Sequence, residues 1–159
     1  LDVVRASSSL PYVSKIVDVD GIPMLDGGIA DSIPVERAMQ TGHPVNVLIL
    51  TRNKGYRNTS KDRKIPHFIY KCYPRLRVAL SRRIEAYNEQ LDLVDRLEAE
   101  GRVICIRPQK PMEVGRMEKD TAKLEALYEE GFALGEAFCR QYRSQLSAFV
   151  CPKRGISEG

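Results

Sequence analysis

The chain has 159 residues, 43% of them hydrophobic and 29% charged, with a net charge of +4. This is the composition of an ordinary globular domain, long enough to bury about two-thirds of its unfolded surface. It excludes a membrane-spanning helix, because the longest apolar run, Val45 to Leu50, is broken by Asn46 and falls far short of the ~20 residues a span requires.

Residues 2 to 7 read as the end of a helix, stopped by Ser7-Ser8-Ser9 and Pro11. Two short β-type runs follow, Lys15 to Val19 and Ile22 to Leu25, joined by Asp20-Gly21. That pair predicts a tight hairpin, since both turn positions favour positive φ. Pro23 places the second run at a strand start or a sheet edge. After Asp26-Gly27-Gly28 a helix is expected, capped by Asp31 or Ser32, with Pro34 in its first turn and a stop at Gly42.

Val45 to Thr51 reads as a strand covered on both faces, and Arg52 to Lys64 as a polar, basic loop. Residues 76 to 100 predict a long helix, because Leu80, Ile84, Tyr87, Leu91, Val94 and Leu97 recur along one stripe. Gly101 ends it, and Arg102 to Arg107 is a further strand. A last long helix runs from Asp120 to Phe149, with Leu124, Leu127, Gly131, Leu134, Phe138, Tyr142 and Phe149 on one side. Gly131 and Gly135 are expected to admit a close neighbour. The tail 153–159 is expected to be flexible. Alternating strands and helices imply an α/β fold with a mostly parallel sheet flanked by helices.

Cys72, Cys105, Cys139 and Cys151 are scattered without a C-x-x-C pair, and only His43 and His67 accompany them. Two disulfides are arithmetically possible, but reduced, structural thiols and a cytoplasmic address are the expectation, with no metal and no cofactor. His43 and His67 read as surface or packing residues. No signal peptide is visible, and a start at Leu1 in mid-helix suggests that the chain begins inside a longer protein.

The informative stretch is "DVDGIPMLDGGIADSIPV", residues 18 to 35. Asp-Gly-Gly alone is a turn former. Asp31 could be taken for a second carboxylate beside Asp26, but a helix N-terminus explains it better. Asp18-Val19-Asp20-Gly21 is no calcium loop, because Ile22 stands at the fifth position and no glutamate closes it.

Taken with Ala6-Ser7-Ser8-Ser9-Leu10-Pro11 upstream and the Pro34-started helix and apolar strand downstream, Leu25-Asp26-Gly27-Gly28-Ile29-Ala30-Asp31-Ser32-Ile33-Pro34 resembles the C-terminal part of a bacterial patatin-like phospholipase. "TRNKGYR" (51–57), "YPRL" (73–76) and "IRPQKPMEVGRMEKD" (106–120) resemble one branch of that family. The resemblance implies a domain portion over 1–152. Its segment 1–65 carries Asp-Gly-Gly with the following strand and loop, and 66–152 is helical with one strand.

The resemblance further implies that Asp26 is the general base of a Ser–Asp dyad, with Gly27 and Gly28 supporting the loop. The nucleophile would sit in a G-x-S-x-G elbow and the oxyanion hole in a Gly-rich loop, both N-terminal to the Asp. Neither is expected anywhere in these 159 residues, and no run of three glycines occurs, so this chain is expected to hold half an active site and no nucleophile. A serine hydroxyl attacks an ester carbonyl only when a base takes its proton, and desolvation makes a carboxylate a better one.

Residues 51 to 83 hold eleven Lys and Arg against one acid, Asp62, a local charge of +10. Three readings stay open. One is a solvated face balanced by Glu85, Glu89, Asp92, Asp95 and Glu98. Another is an anionic membrane or acidic-lipid surface, since Phe68, Ile69, Tyr70 and Tyr73 interleave with Lys71, Arg75 and Arg77; this would put the protein at the periphery of the inner membrane. Nucleic-acid binding is the third, disfavoured because charge is its only support.

The expected function is therefore part of a lipid or ester acyl hydrolase. Its rival is a catalytically silent surface-binding module. Self-association through an exposed sheet edge is also expected.

Overall fold

The computed structural model describes residues 1–43, 45–60, 66, 68–115 and 118–149, the last six without their side chains. His67, Cys151, Phe149's side chain, positions 61–65 of the basic loop and the tail 153–159 therefore lie outside the described residues. The class is α/β: among the described residues helices alternate with strands paired into two small sheets.

The chain divides into two compact units. The first comprises Leu1–Asn46 and Arg57–Val103. It begins with α1 (Asp2–Ser7), followed by β1 (Val17–Val19) and β2 (Ile22–Met24), which pair antiparallel with Val17 opposite Met24 and Val19 opposite Ile22. The turn between them has Asp20 at φ 53° and Gly21 at φ 80°, as the sequence predicts. Asp18 Oδ1 accepts the Gly21 N–H at 2.9 Å, so its carboxylate serves the turn. Ala6, Val17 and Val19 form a small core with Met24 against it.

A 3-10 turn (Gly27–Ile29) and α2 (Val35–Gln40) follow, and α2 ends before Gly42 at φ 81°. α3 (Pro74–Ala99) buries Leu91, Val94 and Leu97 from the expected stripe, with Gly101 at φ 68° beyond it. Leu80, Ile84 and Tyr87 are half-buried. The segment after Arg57 is tied to α3: Arg57 pairs with Asp92 and Asp95, and Asn58 exchanges hydrogen bonds with Asn88 at 2.9 and 3.0 Å.

The second unit holds Val47–Tyr56 and the chain from Ile104 onward. Most of β3 (Asn46–Ile49) and β4 (Val103–Ile106) falls in it, and these strands form the other two-stranded sheet. α4 (Thr121–Phe149) is capped by Asp120, whose Oδ1 accepts the Ala122 N–H at 3.0 Å.

Two expectations are corrected here. β3 is not covered on both faces: Val47 and Ile49 are exposed, Ile49 at 79%. Among the described residues nothing stands within 4 Å of a Cβ placed on Gly131 or Gly135, and Leu124 on the expected stripe is exposed. Among the described residues, every fully buried apolar side chain belongs to the first unit.

Candidate functional site

Asp26 follows β2 and starts the 3-10 turn. Its backbone N–H donates to the Ser9 carbonyl at 2.9 Å, which ties the loop to the end of α1. Ser9 is buried, and its hydroxyl donates to the Arg5 carbonyl at 2.8 Å. The Ala6–Pro11 block and Asp-Gly-Gly, separate in sequence, thus meet in one place.

The Asp26 side chain turns back on its own loop, with Oδ1 accepting the Gly28 N–H at 2.7 Å. Among the described residues Oδ2 accepts no hydrogen bond, and Asp26 is half-buried. One carboxylate oxygen fixes the rotamer while the other is available to a proton donor. The two glycines differ: a Cβ on Gly28 would lie 3.1 Å from Asp26 Oδ1, whereas one on Gly27 would meet nothing within 4 Å.

Asp31 does not cap α2. The residue at that position is Pro34, with no side-chain cap, and Asp31 Oδ1 instead accepts the Gln90 carboxamide at 2.6 Å. Gln90 Oε1 in turn accepts the N–H groups of Ser32 and Ile33, each at 3.2 Å. Ser32 is no cap either, because its hydroxyl donates to the Gly28 carbonyl at 2.8 Å. That same carbonyl accepts Arg83 Nε at 3.1 Å. Free N–H groups before a helix need acceptors, and here the acceptor is a side chain 57 and 58 residues away.

Arg83 and Gln90 are the site residues that sequence reasoning missed. Arg83 counted only as one charge of the basic run, and Gln90 sits one position before the buried Leu91 of the α3 stripe. Nothing in their local spacing marks them.

Other candidates lie elsewhere or do other work. His43 is exposed. Cys72, Cys105 and Cys139 are reduced as expected, but Cys72 and Cys139 are exposed, which does not suit the structural role expected of them, and Cys105 is half-buried on β4. Among the described residues no group of three His, Cys, Asp or Glu could hold a metal ion, and no helix is long and apolar enough to cross a membrane. A cleft of about 470 Å³ lined by Arg5, Ser8, Ser9, Ser14, Lys15 and Asp18 adjoins the site through Ser9.

One string with elbow spacing does occur, Gly155-Ile156-Ser157-Glu158-Gly159, against the expectation of none. It lies C-terminal to Asp26 and outside the described residues. Cys151-Pro152-Lys153-Arg154 precedes it where an elbow requires an apolar strand. It carries no assignment.

Residues 1–39 match the family model described as "Patatin-like phospholipase". Residues 73–147 match a "Domain of unknown function (DUF6363)". The chain is 48% identical over 52 residues to the uncharacterized protein YjjU of Escherichia coli (strain K12). That stretch is 32% of this chain and 15% of the relative, so the chain spans a small part of the protein it matches.

Proposed function

We propose that this chain is the acid-bearing part of a patatin-like serine acyl hydrolase acting on a lipid or other ester, with Asp26 as the proton acceptor of a Ser–Asp dyad. The patatin-like match over 1–39 covers Asp26, Gly27 and Gly28 and makes a lipid hydrolase the coarse family reading. The observation that carries the finer one is the presentation of Asp26. Its main chain is held by Ser9, Oδ1 is held by Gly28, and Oδ2 is left to accept a proton.

The chemistry follows from that arrangement. A serine brought against Oδ2 from elsewhere in the longer protein would lose its proton to the carboxylate as its Oγ attacks the ester carbonyl. The same group would then return the proton to the leaving alcohol. The glycines let the turn stay tight enough for another backbone to approach.

In the longer protein, Asp26→Asn keeps the side-chain shape and removes its basicity. Ester hydrolysis should fall by at least ~100-fold, the usual weight of a general base. Near-normal hydrolysis by that variant overturns the assignment. The 159 residues alone should not turn over p-nitrophenyl esters above background. Loss of the upstream serine in the longer protein would instead favour the rival, a silent surface-binding module.

A further inference from the structure

The Asp26 loop is gripped from one side by α3. Gln90 makes three hydrogen bonds to successive residues, accepting from Ser32 N and Ile33 N at 3.2 Å and donating to Asp31 Oδ1 at 2.6 Å. Seven positions earlier on the same helix, Arg83 donates to the Gly28 carbonyl at 3.1 Å. Residues seven apart lie two turns along one helix face. One face of α3 therefore spans the turn from Gly28 to Ile33.

We infer that α3 is the positioning element for Asp26, with Gln90 and Arg83 as positioning residues, and that this is a role of the region matched by the domain of unknown function. The inference rests on the reading of Asp26 as the proton acceptor. The anchoring is polar and directional, which suits holding a geometry more than adding stability. Gln90 satisfies two backbone N–H groups whose local cap is missing, and a carboxamide that accepts and donates at once fixes its own orientation. Arg83 pulls on the carbonyl of Gly28, the residue whose N–H holds the Asp26 carboxylate. A shift of about 1 Å at a catalytic group can cost ~100-fold in rate, so loosening this grip should lower turnover and leave substrate affinity alone.

The experiment uses the longer protein with a chromogenic ester. Gln90→Ala and Arg83→Met should each lower kcat by roughly 10- to 100-fold with KM within about twofold of wild type. Arg82→Ala, which removes a neighbour whose ion pair is with the exposed Glu85, should leave both unchanged. A reciprocal exchange guards against a variant that simply fails to fold. Gln90→Glu sets a carboxylate against Asp31 and should lose kcat. Gln90→Glu with Asp31→Asn restores one donor facing one acceptor and should recover most of it.

Wild-type kcat in Gln90→Ala and Arg83→Met, in a protein that Asp26→Asn inactivates, overturns the positioning role alone. A failure of the exchange to restore kcat in a folded double variant does the same. Full activity in Asp26→Asn overturns the reading of Asp26 and the positioning role with it.

Discussion

Gly28 N donates to Asp26 Oδ1 at 2.7 Å, and a methyl group on Gly28 would come within 3.1 Å of that same oxygen. The second glycine of Asp-Gly-Gly is therefore fixed by its own hydrogen bond and not by an unusual φ. Among the described glycines positive φ occurs at Gly21, Gly42, Gly55 and Gly101, none of them in this motif.

Gly28→Ala should accordingly break or lengthen the bond that sets the Asp26 rotamer. A loss of about 1–2 kcal/mol in unfolding free energy is expected, the scale of one hydrogen bond with crowding added. In the longer protein, ester hydrolysis should fall with it. Gly27→Ala, with open space around its Cβ position, should change stability by less than about 0.5 kcal/mol. Urea unfolding of the pair is the measurement, and equal effects at the two sites would contradict this distinction.

The elements were legible where local rules govern. Asp20-Gly21 requires a turn of that hand, and Gly42 and Gly101 end helices by adopting φ that other residues avoid. The α3 stripe buries Leu91, Val94 and Leu97 as its spacing demands. Asp26, Gly27 and Gly28 stand out through a motif and not through any property of their own spacing. What stayed hidden was long-range. Asp31 looks like a cap because capping is a local habit, but the N–H groups it was expected to satisfy go to Gln90 on another helix. Arg83 was invisible for the same reason, since a basic run does not say which of its members faces a carbonyl. Val47 and Ile49 read as residues of a covered strand because continuous apolar strands usually are; whether a neighbour exists is decided by other parts of the chain.

Glu118 provides a pH test outside the site. Its Oε1 accepts the N–H groups of Asp120 at 3.0 Å and Lys119 at 2.9 Å. These bonds, the one from Asp120 foremost, hold its carboxyl below the ordinary value of 4.5. A carboxylate whose folded pKa is depressed adds stability above its unfolded pKa, and that contribution is lost as pH falls through the folded one. The turn before α4 should thus be intact above pH 4.5 and loosen below it. Following the Glu118 carboxyl carbon shift against pH checks this. A midpoint at or above 4.5 would refute it.

The basic segment divides its cations between structure and surface. Arg77 donates to the carbonyls of Pro66 and Ile69 at 2.8 and 2.7 Å, and Arg57 is paired with acids on α3. The acidic side of α3 thus balances part of the charge. Phe68, however, is 78% exposed, with exposed Lys71 and Arg75 following it. We propose that this corner meets an anionic bilayer, because an exposed ring flanked by cations combines apolar insertion with attraction to lipid headgroups. The chain should float with vesicles containing phosphatidylglycerol and stay down with phosphatidylcholine alone. Phe68→Ala and Lys71→Glu should each weaken flotation. Equal binding to both vesicle types, or a shift of duplex DNA in a gel without flotation, would rule this out.

Val47 and Ile49 alternate along β3 and so point to one side of its sheet, where both are exposed. β3 has β4 as its neighbour in a two-stranded sheet, and a pair of strands with an uncovered apolar face is marginal in water. Nothing fully buried lies in that unit among the described residues, so the unit does not bury this apolar surface within itself. We propose that in the isolated 159-residue chain a second copy covers it, by strand addition at the open edge or by face-to-face packing. Ile49→Lys, placing a charge on that face, should favour the monomer without disturbing the Asp26 loop. Light scattering across a dilution series should show mass falling with concentration for the wild-type chain and a constant monomer for Ile49→Lys. A wild-type chain that stays monomeric at every dilution and unfolds cooperatively would show that β3 needs no partner.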